Sequence, residues 1–258
     1  MSKNGLTTEE RRAEILDVIR DNVRGNVNEL AERFSVTTAT IRTDLKELES
    51  AGLVVRTYGG AVLREHLTGE ESYGQRHHQD KKRRIASRAL ELIEDGDVIA
   101  LDTGTTSLCL AEAIARSRLQ NLRIVSPDFS VMLVLEERED FELILIGGQV
   151  RHGYHFSCGD MATSQLSAFR VDKFFLSPGA VDLKGGLTTP SVRTSHIKAK
   201  LMGIANETVL ISDSTKYGDV CFNRIANLDE VSHIVVDSEL DGKFLAGLEE
   251  LGRDVLFA

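Results

Sequence analysis

Residues 27–42 read VNELAERFSVTTATIR and contain two short helical patterns separated by a turn. Ala31 is small where two helices would cross, and Val36 is placed to fill the core immediately after the turn. Three threonine hydroxyls open the second of these helices, where the free N–H groups of a helix start need acceptors. The spacing predicts a helix-turn-helix, whose second helix lies in the major groove of double-stranded DNA.

The flanking residues complete a winged domain predicted over residues 1–65. Thr8 is expected to cap a first helix, Glu9–Asn22, and Asn26 or Asn28 a second, Glu29–Phe34. Thr37 is expected to cap the third helix, which runs to about Ser50 and is stopped by Gly52. Two strands, Leu53–Arg56 and Ala61–Leu63, flank a tight turn and form the wing. The residues predicted to contact the DNA operator are Thr37, Thr38, Thr40, Arg42, Thr43, Lys46, Arg56, Tyr58 and Gly59.

The alternative is a plain three-helix packing motif within an enzyme. Such a motif does not require hydroxyls at one helix start, or a Gly-Gly wing with Arg56 and Arg64 on either side. The DNA-binding interpretation is therefore favoured. The net charge of −9 excludes a protein coated in basic patches, but a compact reading head needs only a local cationic face.

The chain changes character near residue 65. A polar linker, residues 66–80, leads to an α/β domain at 81–258, in which short apolar runs alternate with amphipathic helices, a pattern typical of a mostly parallel sheet. The predicted strands are Val98–Leu101, Leu122–Val125, Leu143–Ile146, Phe174–Leu176, Val209–Ile211, Ile234–Val236 and Val255–Phe257. The predicted helices are Ser107–Arg116, Phe129–Glu136, Met161–Phe169, Thr194–Ala205 and Gly242–Leu251. The basic run Lys81–Arg84 is expected to be the solvated face of a further helix.

Composition predicts a cytoplasmic protein with no membrane partner. No run of about 18 apolar residues is present, and the first residues lack the apolar stretch of a signal peptide. The three cysteines are far apart and lack metal-ligand spacing, so they indicate neither disulfides nor a metal site. No Walker loop or GxGxxG pattern is present, and no cofactor is expected.

Small polar residues follow the predicted strands of the second domain. Because ligands of open parallel sheets bind at the carboxyl ends of the strands, these residues predict an effector site. Asp102 opens its clearest part, in which Gly104 permits close backbone approach and the Thr105 and Thr106 hydroxyls join the free N–H groups of a helix start. Simple N-capping is the alternative there. The other predicted effector contacts are Ser126, Gly148, Arg151, Gly179, Asp213 and Lys216, although Gly148 and Arg151 equally fit a plain turn and Lys216 a surface lysine.

The motif Thr40–Leu45, followed by Leu48-Glu49 and Arg56–Ala61, resembles the DeoR family of bacterial repressors. The resemblance continues through Leu101–Thr106, Ile197-Lys198 and Asp213–Gly218. It implies a sensor domain resembling ribose-5-phosphate isomerase and glucosamine-6-phosphate deaminase, with Gly104–Thr106 and Lys216 on the phosphate and Lys198 in the effector site. It also implies a repressor of carbohydrate genes that a phosphorylated sugar or related metabolite releases from DNA.

The sequence departs from that family in four places. The family usually has serine at the position of Thr37 and arginine at that of Thr43, often has Thr-Asn at Ser126-Pro127, and often has an acidic residue near Thr194. The last two changes alter the sugar end of the expected pocket. A homo-oligomer, at least a dimer, is expected because two heads can read two half-sites.

The second functional hypothesis is a sugar-phosphate isomerase or deaminase that carries a DNA-binding appendage. Isomerisation needs a carboxylate base beside the substrate carbon. Asp182 is the one carboxylate left in the corresponding region, and His196 is the one further candidate base. The sequence therefore predicts a regulator that is not an enzyme.

Overall fold

A computed structural model describes residues 7–22, 24–57, 59–63, 78–151 and 153–258. The chain forms two compact units, Met1–Glu70 and Glu71–Ala258. None of the helices within the described ranges is long and apolar enough to cross a membrane. Most of the predicted linker lies outside these ranges.

The first unit contains three helices and a three-stranded sheet. Its elements are α1 (Thr8–Asn22), β1 (Arg24–Asn26), α2 (Val27–Arg33), α3 (Thr38–Ser50), β2 (Val54–Thr57) and β3 (Gly60–Leu63). Apolar residues at helical spacing, such as Ile15 and Ile19 on α1 and Ile41 and Leu45 on α3, meet in one buried core. The winged helix-turn-helix predicted from the sequence is confirmed.

The helix caps of this unit differ in part from the prediction. Thr7, not Thr8, caps α1: its hydroxyl accepts the Glu10 N–H at 3.3 Å, and its own N–H donates to the Glu10 carboxylate at 2.7 Å. This reciprocal pair is a capping box, in which the glutamate stands three residues after the cap. Asn26 caps α2, as one of the two predicted alternatives.

Strand β1 was not predicted, and it explains the glycine at position 60. Arg24–Asn26 pairs antiparallel with Gly60–Val62, while β2 pairs with the other edge of β3. A Cβ on Gly60 would lie 2.2 Å from the carbonyl oxygen of Gly25, so a side chain there would separate the two strands. Gly59 has φ +88°, in the region that glycine adopts most easily.

The second unit is a seven-stranded sheet between two layers of helices. Its helices are α4 (Gln79–Leu90), α5 (Thr105–Arg116), α6 (Phe129–Leu135), α7 (Asp160–Leu166), α8 (Val192–Met202) and α9 (Gly242–Glu250). Its strands are β4 (Val98–Leu101), β5 (Arg123–Ser126), β6 (Glu142–Leu145), β7 (Gln149–Arg151), β8 (Phe156–Cys158), β9 (Val171–Leu176), β10 (Ala180–Asp182), β11 (Gly186–Thr189), β12 (Ala205–Ile211), β13 (Asn223–Ala226), β14 (His233–Val236) and β15 (Asp254–Phe257).

The seven predicted strands form the central sheet, in the order β15-β14-β12-β9-β4-β5-β6, and every pair in it is parallel. Alternate residues face opposite layers. Ile99 and Leu101 belong to the core beneath α4, α5 and α6, whereas Ala100 belongs to the core beneath α7, α8 and α9. The predicted parallel α/β architecture is confirmed.

Three features of this unit differ from the sequence prediction. The hairpin β7–β8 and the small sheet β10-β11-β13 were not predicted. The basic run Lys81–Arg84 is not wholly a solvated face, because Lys82 is buried and Lys81 is largely covered, while Arg83 and Arg84 are exposed. Lys81 and Lys82 therefore belong to the packing of α4 within this unit.

Candidate DNA interface and effector site

Helix α3 presents a cationic face to solvent. Arg42, Thr43 and Lys46 are all exposed, and their spacing places them on one side of the helix. The Thr43 hydroxyl donates to the carbonyl of Ala39 at 3.1 Å, so it is occupied within the helix itself. Arg42 and Lys46 are thus the side chains of this face that are best suited to base edges or phosphates.

The hydroxyls at the start of α3 have mainly a capping role. Thr37 accepts the N–H of Thr40 at 3.1 Å, and the hydroxyls of the two residues lie 2.9 Å apart. Thr38 is the first residue of the helix and is half-buried. These contacts fix the helix start and leave direct DNA contacts by Thr37, Thr38 and Thr40 as predictions.

The structure describes only some of the predicted wing residues. The Arg56 guanidinium forms an ion pair with Glu49 at 2.7 Å. This pair reduces the positive charge that Arg56 presents to a DNA phosphate. Gly59 is exposed, and its carbonyl accepts the N–H of Val27, tying the wing to the start of α2. Tyr58 and Arg64 lie outside the described residues.

A buried carboxylate that the sequence analysis did not identify holds α3 against α1. Asp44 is 1% exposed and accepts the Arg11 Nε at 2.7 Å and the Arg12 Nε at 3.0 Å. The hydrogen bond that Arg11 donates to Asp44 also raises the pKa of Arg11, against the opposing effect of burial. The sequence contains one signal for this role. The spacing of Asp44 from Ile41, Leu45 and Leu48 places it at the edge of the inner face of the helix.

The clearest part of the predicted effector site, which begins at Asp102, lies at the point where the strand order of the sheet reverses. From β4 the chain proceeds outward to β5 and β6, and it then crosses to β9 on the other side of β4. Such a switch point opens a crevice at the carboxyl ends of the two central strands, where open α/β sheets bind ligands. Asp102 follows β4 and Ser177 follows β9, so both lie at this crevice.

Asp102 and Lys198 form a buried ion pair beneath the crevice. The Asp102 carboxylate contacts the Lys198 ammonium and also accepts the N–H groups of Ser177 and Thr103, each at 2.8 Å. Lys198 donates further to the carbonyl of Ser177 at 2.7 Å. Burial raises the pKa of Asp102, against the lowering effects of Lys198 and the two N–H groups. We therefore assign both residues a positioning role, which ties β4, β9 and α8 together.

Helix α5 begins at the crevice with little internal capping. Gly104 has φ +117° and supplies no side-chain cap, and the first intrahelical bond is donated by Leu108 to the Gly104 carbonyl. Thr105, Thr106 and Ser107 occupy the first turn and are buried, and within the described ranges the buried Ser107 Oγ has no hydrogen-bond partner. Such a helix start presents N–H groups to an anion.

Three other predicted effector residues have structural roles. The Ser126 hydroxyl accepts the N–H of Asp128, which caps α6 and also accepts the N–H of Gly104 at 3.3 Å. A Cβ on Gly148 would lie 2.8 Å from the carbonyl of Cys158, and one on Gly179 3.1 Å from the Pro190 ring. Close packing therefore accounts for both glycines without a ligand.

Arg151 is held toward α8. Its guanidinium donates to the Thr194 hydroxyl at 2.9 Å and lies 3.9 Å from the centroid of the Tyr154 ring. Thr194 and Lys198 are one helical turn apart, so Arg151 lies on the side of α8 that also carries the buried ion pair. The family position near Thr194 is often acidic, whereas here its hydroxyl contacts an arginine.

The turn after β12 contains Asp213 and Lys216. Asp213 caps a short 3₁₀ helix, Ser214–Lys216, and accepts the Thr215 N–H at 3.1 Å. Ser214 donates to Asp237 from its N–H at 2.7 Å and from its hydroxyl at 2.9 Å. Since β9 alone separates β12 from β4, this turn follows a strand roughly 10 Å from the one that leads to Gly104.

Of the two candidate bases of the enzyme hypothesis, Asp182 is poorly placed for catalysis. Asp182 accepts the N–H groups of Gly185 at 2.6 Å and Lys184 at 2.9 Å, and the Gly185 bond lowers the pKa of Asp182. His196 is exposed in a cleft of about 240 Å³ that Arg193 and Asp160 also line. A carboxylate held in its own turn is a weak proton acceptor for a substrate carbon.

Comparisons with known proteins agree with this arrangement. Residues 11–66 match the DeoR-like helix-turn-helix domain, and residues 77–238 match the DeoR C terminal sensor domain. The chain is 33% identical over 250 residues to the HTH-type transcriptional regulator GlpR of Haloferax volcanii, covering 96% of each chain. It is 30% identical to the putative aga operon transcriptional repressor of Escherichia coli O157:H7 (96% and 93% covered) and 31% identical to the lactose phosphotransferase system repressor of Staphylococcus aureus NCTC 8325 (92% and 95%).

Solved structures give more distant similarities. Ribose 5-phosphate isomerase A of Methanocaldococcus jannaschii matches with a TM-score of 0.40 and 21% identity, over 54% of each chain. The eIF2B delta of Chaetomium thermophilum matches with a TM-score of 0.45 and 12% identity, over 88% of this chain and 70% of that one. The two matched domains together with the full-length relatives are decisive: this chain belongs to the DeoR family and is a DNA-binding transcriptional regulator, not an enzyme.

Proposed function

We propose that the protein is a repressor of carbohydrate-metabolism genes that leaves its operator when a small phosphorylated sugar or related metabolite binds at the crevice. The observation that carries the proposal is the start of α5, where Gly104 supplies no side-chain cap and three buried hydroxyl residues open the helix at the switch point of the sheet. Relatives named as repressors of a lactose phosphotransferase system and of an aga operon support the carbohydrate assignment.

In this proposal the phosphate lies at Gly104–Thr106 and near the Lys216 ammonium. It is held by the N–H groups of Thr105 and Thr106, because the N–H of Gly104 already donates to Asp128. A helix start favours a negative charge, and the lysine adds a point charge for a phosphate. Arg151 and the other predicted contacts then face the remainder of the ligand. Asp102 and Lys198 act beneath the ligand by holding β4, β9 and α8 in place.

The operator is obtained by selecting duplexes that the purified protein binds from a random library. We propose that the protein reads DNA as at least a dimer through its sensor domain, because one helix-turn-helix contacts too few bases to select a genomic site. The selected duplexes are expected to contain two half-sites about one helical turn, or a multiple of one, apart. A single unrepeated site would contradict the dimer.

Replacing Arg42 with alanine is expected to weaken binding to the selected operator by about 1–3 kcal/mol if the guanidinium contacts a base. The exposed Arg83 of α4 provides a control, because its replacement removes the same charge outside the DNA-binding head. Affinity is measured by gel-shift titration at fixed salt concentration. Equal affinities of wild type and Arg42→Ala would show that α3 does not contact the operator through this residue.

Replacing Lys216 with alanine is expected to leave operator affinity unchanged and to weaken the response to the effector. The effector is first identified by a thermal-shift screen of sugar phosphates, since a ligand at ~100 times its Kd adds about 2.7 kcal/mol of apparent stability. The double variant Thr105→Val/Thr106→Val should have the same effect, whereas Lys243→Ala on the exposed start of α9 should not. An unchanged midpoint and amplitude in Lys216→Ala would place the phosphate elsewhere.

A further inference from the structure

Lys81 connects the first helix of the sensor unit to two loops at the carboxyl edge of the sheet. Helix α4 starts at Gln79, directly after the segment that leads from the DNA-binding head. The Lys81 ammonium lies 3.0 Å from the Ser214 hydroxyl, 3.2 Å from Asp237 and 2.8 Å from Glu239. Its side chain is 14% exposed, so these contacts are largely shielded from water.

The acceptors of Lys81 are themselves bonded to the turn that carries Lys216. Asp237 is fully buried and accepts both the N–H and the hydroxyl of Ser214, and it accepts the N–H of Glu239 at 3.1 Å. Ser214 is the first residue of the 3₁₀ helix that ends at Lys216. A displacement of this turn therefore changes the acceptors available to Lys81.

The charges of this cluster favour an intact contact at neutral pH. Burial opposes the ammonium form, but the hydrogen bonds to Glu239 and Asp237 raise the pKa of Lys81. Burial also opposes the carboxylate form of Asp237, but the hydrogen bonds from Ser214 lower its pKa. Both shifts favour the charged forms, so Lys81 is cationic and Asp237 anionic at neutral pH and the contact there does not depend on a protonation change.

Lys81 connects α4 to the Ser214 turn by directional bonds. Apolar residues of the helix, such as Ile85 and Ala89, pack into the core of the unit. Apolar contacts are non-directional, whereas a hydrogen bond weakens steeply when its geometry is lost. A small movement of Ser214 thus changes the geometry of its bond with Lys81, and so acts directly on α4.

We propose that Lys81 is a positioning residue that couples the turn at Ser214–Lys216 to helix α4, and so to the segment leading to the DNA-binding head. The proposal rests on the proposed function, in which a phosphorylated ligand binds beside Lys216. Ligand binding that reorients the turn changes the bonds of Lys81 and shifts the start of α4. Allosteric couplings of this kind typically change affinity by about 5–150-fold.

The test compares Lys81→Met with Lys173→Met in the full-length protein. Methionine keeps much of the aliphatic stem and removes the charge. Lys173 is a matched control because it forms a similarly covered ion pair, with Asp97 at 2.7 Å, elsewhere in the same unit. For each variant, calorimetry gives the Kd of the ligand and gel-shift titration gives operator affinity with and without it. The probes are ribose 5-phosphate, glucose 6-phosphate, fructose 6-phosphate and inorganic phosphate.

The expected result is that Lys81→Met binds the active probe with the wild-type Kd while its operator affinity no longer changes when that probe is added. Lys173→Met should behave as the wild type in both measurements. A Lys81→Met protein whose operator affinity responds to the probe as the wild type does would overturn the coupling. A merely structural role would lower the melting temperature and leave the ratio of the two operator affinities unchanged.

A second measurement needs no ligand and separates this proposal from the proposed function. If no probe alters operator binding by the wild type, the proposed function fails for those ligands. The coupling is then tested without a ligand, by comparing Lys81→Met, Ser214→Ala and the double variant. Residues acting through one contact give non-additive effects on the operator affinity of the ligand-free protein. Additive effects, or no effect from either substitution, would overturn the coupling.

Discussion

The Asp102→Asn variant is expected to lose about 3–5 kcal/mol of its free energy of unfolding, because removing one partner of a buried ion pair leaves the other charge uncompensated. Asp102 is fully buried and the Lys198 side chain is 4% exposed, so water cannot replace the lost carboxylate. Asparagine keeps the shape of the side chain, and packing losses contribute little. Urea denaturation followed by circular dichroism measures the change.

Two further variants isolate the charge. Asp97→Asn breaks a more exposed pair with Lys173, in which water can partly replace the lost carboxylate, and should therefore cost less than Asp102→Asn. The double variant Asp102→Asn/Lys198→Met removes both buried charges and should recover part of the loss, since apolar replacement of a whole buried pair is often tolerated. A loss in Asp102→Asn no greater than that in Asp97→Asn would show that the buried pair does not hold the strands together.

The Asp44→Ala variant is expected to lose about 3 kcal/mol of stability in the DNA-binding head, at the low end of the cost of breaking a buried pair. Its two arginine partners are 15% and 29% exposed and can be partly rehydrated, which limits the loss. Small domains have little stability to spare, so this change should remove most operator binding. Gel-shift titration and limited proteolysis of the head measure the two effects.

Glu47 provides the control for this prediction, because it is exposed on the same helix. Glu47→Ala should retain a protease-resistant head and should not weaken operator binding. If Asp44→Ala retains both properties as well, the arginine cluster does not position α3, and the apolar core alone is sufficient.

The sequence was most informative where a pattern is local. Val98–Leu101 is an uninterrupted apolar run, and its predicted bounds coincide with those of β4. Helix α3 begins and ends where it was predicted to. The Thr37 hydroxyl caps its start through a bond to a near neighbour, and Gly52, which has a positive φ, follows its end. Strands β1, β7 and β10 are three residues long, which is too short to show an alternation of apolar and polar residues.

The function of a polar residue depends on partners that are distant along the chain. Asp102 was predicted to contact the effector, yet its carboxylate is engaged by Lys198, which is 96 residues away, and by Ser177. Lys81 belongs to a basic run that was predicted to be exposed to solvent, and within that run only Arg83 and Arg84 are exposed. No local sequence pattern distinguishes Lys81 or Lys198 from a solvated surface lysine. The order of strands in the sheet, which brings Ser214 and Asp237 to Lys81, is set by tertiary structure.

The order of strands in the sheet has a consequence for synthesis on the ribosome. The core of the DNA-binding head is built from residues 15–61, so the head is complete early in translation. Strand β4 lies inside the sensor sheet, but its neighbour β9 begins only at Val171. Because amino-terminal domains generally fold first during synthesis, the nascent chain carries a folded head while the sheet lacks its central pairing. A chain released before Val171 contains the core residues of the DNA-binding head, but it lacks β9, the strand that pairs with β4 inside the sensor sheet.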